Sequence, residues 1–140
     1  MYQLCYASQA KLPSETRLQD LRDILSEARD FNVKRKIKGV LCYADGCFFQ
    51  CLEGEQDSVL SLLNKIKKDQ RHYDLSILSQ RQIQTDFHFP DWSMKYIGKH
   101  SDIHHFFAQL GSSKFNPVLL QQASLQNFLQ LLYRIPDQQL

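Results

Sequence analysis

"IKGVLCYADGCFFQCLEG", residues 37–54, decides the fold. Two apolar runs flank Asp45-Gly46. Asp-Gly between such runs is a strong signal for a two-residue β-hairpin, whose tight turn needs positive φ at both central positions. In the second strand Phe48, Gln50 and Leu52 share one face, and Cys47, Phe49 and Cys51 share the other. Both faces are apolar, whereas an antiparallel sheet with one wet face alternates apolar and polar residues. Something must therefore cover the second face, either the C-terminal part of the chain or a partner. Gln50 is the misfit, because a buried primary amide costs free energy unless its donors and acceptor are paired. Parity alone does not say which face of the sheet holds it.

Working outward, "YQLCYAS" (2–8) reads as a strand and "QAKLPSE" as a turn. "TRLQDLRDILSEARDFN" then spaces Leu18, Leu21, Ile24, Leu25 and Ala28 as one face of a helix. Ser14 or Thr16 is its expected N-cap, and Asn32 its C-terminal cap. Past the hairpin, "EQDSVLSLLNKIKKDQRH" is a second amphipathic helix with Val59, Leu62, Leu63 and Ile66 on one side. "YDLSILSQRQIQ" and "WSMKYIG" read as strands separated by the turn-rich "TDFHFPD". The order to residue 99 is β-α-β-β-α-β-β. This predicts an α+β, ferredoxin-like sheet with an added strand and two helices on one face. "SDIHHFFAQL" and "SLQNFLQLLYRI" read as two short helices, with a break at Asn116-Pro117. They are expected to cover the other face. Residues 1–99 and 100–140 thus form two regions of one compact unit.

Composition narrows the function classes. The chain has 140 residues, 43% hydrophobic and 11% aromatic, enough for one domain with a real core. A formal net charge of +2 gives no footprint for nucleic acid or an anionic membrane. No apolar stretch approaches the roughly 20 residues of a membrane-spanning helix. The N-terminus lacks the pattern of a signal peptide. The four cysteines, Cys5, Cys42, Cys47 and Cys51, lie in strand-like segments without metal-site spacing. They read as reduced, buried thiols of a cytoplasmic protein.

No hydrolytic or phosphate-loop motif is present. Taken singly, the remaining residues have structural explanations. Tyr6 and the pair Trp92 and Met94, which share parity in the last strand, read as core. The basic run Lys65, Lys67, Lys68 and Arg71 reads as a solvated helix face. Gly54 reads as a β-to-α turn, and the adjacent His104 and His105 cannot face one metal from a helix.

The combination says more. "LCYAS", "FN" ahead of "IKGVLCYADGCFFQCLEGE", and "PDWSMKYIG", in this order over residues 2–99, resemble the BLUF family of flavin-binding blue-light receptors. The resemblance implies that Tyr6 and Gln50 are the photoactive switch. It implies that Asn32 bonds the flavin's pyrimidine edge, that Ile24 and Ile66 sandwich the ring, and that Lys65 stands near the ribityl chain or phosphates. Trp92 and Met94 would relay the signal. FAD is the implied cofactor, with FMN or riboflavin as variants. Phe31 departs from the pattern, since many members carry Asn or His there. A receptor of this kind is a regulatory module and not an enzyme. It signals by light-dependent binding to an unidentified regulatory protein, and self-assembly stays open. Two other readings fit the element order: an RRM-like RNA-binding module, which wants an RNP motif absent here, and an acylphosphatase-type enzyme, which wants an anion-cradling arginine loop after the first strand.

Overall fold

A computed structural model of the chain describes residues 1–84 and 89–140. It contains β1 (Tyr2–Ala10), α1 (Arg17–Arg35), β2 (Lys38–Ala44), β3 (Cys47–Gly54), α2 (Gln56–Lys68), β4 (His72–Gln82) and β5 (Lys95–Ile97). α3 (Ser101–Gln109), a 3-10 turn at Pro117–Leu119 and α4 (Gln122–Arg134) follow. The hairpin forms as expected, with φ of 50° at Asp45 and 75° at Gly46. The tip is also tied down: the Phe115 amide donates to Asp45 Oδ2 at 2.9 Å.

The sheet order is β4-β1-β3-β2-β5. The first four strands pair antiparallel, the ferredoxin-like arrangement, and β5 adds parallel to β2. β4 is an edge strand whose register with β1 shifts twice, and Asp74 within it has a φ of 52°. At the other edge, the segment after α4 runs along β5. Gln138 N donates to Tyr96 O at 2.8 Å, and Asp137 Oδ1 accepts from Tyr96 N at 3.0 Å.

Two apolar layers flank the sheet. On one side Leu21 and Leu25 of α1 and Val59, Leu62 and Leu63 of α2 pack on Tyr2, Leu4, Leu41, Phe48 and Leu52. On the other, Ile103, Phe107, Phe115, Phe128 and Leu132 pack on Cys5, Val40, Cys42, Phe49 and Cys51. The C-terminal helices are therefore the cover that the doubly apolar β3 requires. Phe128 is the centre of that layer, with its ring 5.1–6.2 Å from those of Phe49, Phe106, Phe107 and Phe115. All four cysteines are free and buried. No helix among the described residues is long and apolar enough to cross a membrane.

Three local expectations need correction. Asn32 does not end α1: the helix runs on to Arg35 and closes with Lys36 at a left-handed φ of 55°. Leu18 is half exposed and leaves the buried face. The last strand is only Lys95–Ile97, so Trp92 and Met94 precede it in irregular backbone where alternation no longer holds. Met94 joins the layer under α1 and α2, whereas Trp92 packs on the C-terminal side. Of the turn-rich "TDFHFPD", residues 85–88 lie outside the described residues.

Candidate functional site

The crevice between α1 and α2 is floored by the sheet. β1 and β3 set Tyr6 opposite Gln50, and β2 sets Leu41 beside Gln50. Helical spacing brings Ile24 and Ala28 to one wall, and Leu62 and Ile66 to the other. The space enclosed is about 150 Å³. Its mouth carries Lys65, Glu27, Asp69, Arg71 and His72.

A line of hydrogen bonds crosses the floor. Tyr6 Oη donates to Gln50 Oε1 at 2.6 Å, and Gln50 Nε2 donates to Met94 Sδ at 3.6 Å. A thioether has no proton to give, so Met94 selects the NH₂ end of the amide and leaves the oxygen for the phenol. Burial, with a smaller contribution from the Asp69 charge, pushes the Tyr6 phenol well above its ordinary value of 10. Tyr6 is held as a neutral donor. This answers the misfit in β3: Gln50 is 5% exposed, and both ends of its amide are satisfied.

Asn32 stands at the far end of α1, fully buried. Its Nδ2 donates to Ser93 O at 2.6 Å. Its Oδ1 has no partner among the described residues. Leaving a buried acceptor unpaired costs about 1–3 kcal/mol, and Asn32 is not among the residues that line the crevice. Gly39 lets the Met94 segment come close: its amide donates to Trp92 O at 3.0 Å, and a Cβ there would lie 2.8 Å from Cys51 O and 3.3 Å from Met94 Cε.

The mouth is charged and cross-braced. Arg71 holds Asp69 through two hydrogen bonds from its guanidinium and reaches Glu27 at 2.7 Å, bridging α1 and the turn after α2. Those hydrogen bonds keep the Asp69 carboxyl below its usual 3.8. Lys65 Nζ lies 4.5 Å from the centre of the Phe31 ring, and Arg35 lies 5.3 Å from it. The departure at position 31 thus places an aromatic face under two cations. His72 bridges Ser8 Oγ at 2.8 Å and Ile66 O at 2.6 Å.

The structure gathers Tyr6, Gln50, Ile24, Lys65 and Ile66 around one crevice, with Met94 in contact with Gln50. Trp92 is not part of it; its ring stacks on Phe89 at 5.2 Å and meets the tilted ring of Tyr133 at 5.0 Å. Sequence reasoning missed Leu41, Phe48, Asp69 and His72 as lining residues. The first two could be read from strand register with Gln50, but Asp69 closes α2 and His72 opens β4, positions at which no residue pattern points into a site.

Fold and crevice together define a small sensor domain with a site for a flat, partly apolar ligand. The chain belongs to the BLUF family, sensors of blue-light using FAD, whose family model matches residues 1–95. It is 51% identical to BlsA, whose photo-activated structure superposes with a TM-score of 0.92 over 99% of both chains. The dark-state structure of the BLUF protein BlrB is 28% identical, with a TM-score of 0.69 over 78% of this chain and 80% of that one. Photoactivated adenylate cyclase subunit beta of Euglena gracilis is 35% identical over 91 residues, 65% of this chain. The match spans 10% of that subunit's own length. What this chain shares with its relatives is the sensor domain, a flavin-based photoreceptor and not a catalytic domain.

Proposed function

We propose that the chain is a blue-light receptor that holds FAD in the α1–α2 crevice and reports illumination by changing how it binds another protein. The observation that carries this reading is the buried Tyr6–Gln50–Met94 line at the crevice floor. The residues fit a flavin. Ile24 and Ile66 supply aliphatic walls, and the unpaired Asn32 Oδ1 supplies an acceptor for a ring N–H. Lys65 at the mouth suits a phosphate-bearing tail, while Arg71 is committed to Asp69 and Glu27. A bound flavin supplies a light-absorbing ring that becomes a strong oxidant when excited.

The protein's own part is a two-state amide. In the state described, Gln50 Oε1 accepts from Tyr6 and Nε2 donates to Met94. A half-turn of the amide aims Nε2 at Tyr6 Oη and sets Oε1 against Met94 Sδ. Two acceptors then face each other, so Met94 loses its side-chain hydrogen bond, while its carbonyl still accepts from Arg29 Nε at 3.1 Å. That is a local hydrogen-bond change able to bias a larger element. The signal would leave through the segment carrying Trp92 and Met94. Four reduced thiols are in keeping with a cytoplasmic setting.

The test is the visible spectrum of the purified protein before and after blue light. A yellow protein with a small, reversible red shift is expected. A protein that cannot take up flavin overturns the reading.

A further inference from the structure

Lys95 follows Met94 directly, and as the first residue of β5 it faces the opposite side of the sheet from Met94 and Tyr96. The residue is 4% exposed. Nζ donates to Leu132 O at 2.7 Å and lies 3.4 Å from Tyr133 O, both in the last turn of α4. It also sits 4.3 Å from the centre of the Trp92 ring. The last carbonyls of a helix have no partners within the helix, and the helix dipole makes that end negative. A lysine there caps the helix. Burial lowers the Lys95 ammonium from its usual 10.5, and the Asp137 carboxylate opposes that drop. An ammonium this enclosed does not drift: it keeps its carbonyls or leaves them for water.

We propose that Lys95 is the positioning residue that couples the Met94 segment to α4: when Met94 moves, Lys95 withdraws from the Leu132 and Tyr133 carbonyls and the last turn of α4 loosens. The inference rests on the reading of Gln50 as the switch. Its geometry is independent of the ligand, because Met94, just before β5, contacts Gln50 at the crevice floor, and Lys95, the first residue of β5, reaches the end of α4. The segment 137–138 also touches β5, through Tyr96 and Gly98, and is the competing route.

The experiment is hydrogen exchange by mass spectrometry on the full, FAD-loaded chain, in the dark and under blue light, with the spectrum recorded on the same sample. In the wild type, light should speed exchange in peptides covering residues 128–136 several-fold. Lys95→Met should keep the red shift, exchange in the dark like the lit wild type, and show no further rise. Lys95→Arg should restore the light–dark difference. A Lys95→Met protein that keeps the wild-type difference overturns the proposal in favour of the 137–138 route. A wild-type red shift without any change in these peptides also overturns it, while leaving the flavin reading intact. Absence of the red shift removes the reading on which it rests. Should Lys95→Met fail to fold, amine-reactive labelling of the wild type decides: Lys95 should be protected in the dark and labelled in the light, and equal labelling refutes the coupling.

Discussion

Tyr6 and Gln50 are cross-strand partners in register on β1 and β3, and the same register brings Cys5 opposite Cys51 on the reverse face with their sulfurs 2.9 Å apart. The donor–acceptor pair is thus fixed by two neighbouring interior strands of the sheet.

Gln50→Leu should keep flavin and lose the reversible red shift, and Tyr6→Phe should do the same. A normal shift in either variant removes that residue from the switch. The stability effects differ. Gln50→Leu leaves the buried Tyr6 hydroxyl without its acceptor, at a cost of about 1–3 kcal/mol set against the gain from a better-buried side chain. The double variant Tyr6→Phe/Gln50→Leu should therefore be more stable than Gln50→Leu alone. Urea unfolding of the four proteins measures the coupling.

Asn32→Ala removes the unpaired acceptor and the bond to Ser93 O together. Flavin binding should weaken roughly 10- to 100-fold, the equivalent of about 1–3 kcal/mol. Fluorescence titration of the flavin-free protein reads this directly. Unchanged affinity would mean that Asn32 Oδ1 does not meet the ligand.

Above pH 10 the fold should lose stability. Burial raises Tyr6 well beyond 10 and Tyr96 to about 12. Unfolded, both phenols give up their protons near 10, so from there upward the unfolded chain binds fewer protons than the folded one. Stability is intact below that pH and falls above it, by up to about 1.4 kcal/mol per pH unit for each tyrosine. Tyr6→Phe should make the decline shallower. At the acid end the sign reverses. Asp69 is held below 3.8 by Arg71, so its contribution is present above that value and lost as pH falls through its lowered value. Arg71→Met should remove that acid-dependent part. Denaturant midpoints across the pH range test both limbs.

Phe128→Ala should destabilise the fold by about 3–5 kcal/mol, because a fully buried ring is replaced by a cavity at the centre of the C-terminal layer. The loss should appear in chemical unfolding and in faster proteolysis of α3 and α4. A change below ~1 kcal/mol would show that these helices contribute little to the core.

Much of this architecture was legible in the residues. Asp45-Gly46 gave the hairpin because few residue pairs accept two positive φ values. The doubly apolar β3 required a second cover, and the C-terminal helices provide it. Gln50 stood out because alternation makes a buried amide conspicuous, although only the placement of α1 and α2 assigns its face. Trp92 and Met94 could not be placed by parity, since parity holds only in a strand and β5 begins after them. Asn32 looked like a helix end because Asn often is one, while a lysine takes the left-handed position four residues later. Glu53 and Lys95 left no trace. Charged residues in a sequence read as surface, and these two are buried by tertiary partners: Gln3 Nε2 and the Phe89 amide for Glu53, and the end of a helix for Lys95.

The treatment of the two sheet edges bears on assembly. β4 is twice shifted in register and carries a left-handed aspartate, which makes it a poor template for another strand. β5 has its outer groups taken up by Asp137 and Gln138. A continuous sheet running from one molecule into the next is therefore disfavoured in this state. At the β5 edge a companion, whether a second copy or a different protein, would meet side chains rather than backbone unless the terminal segment first peels away.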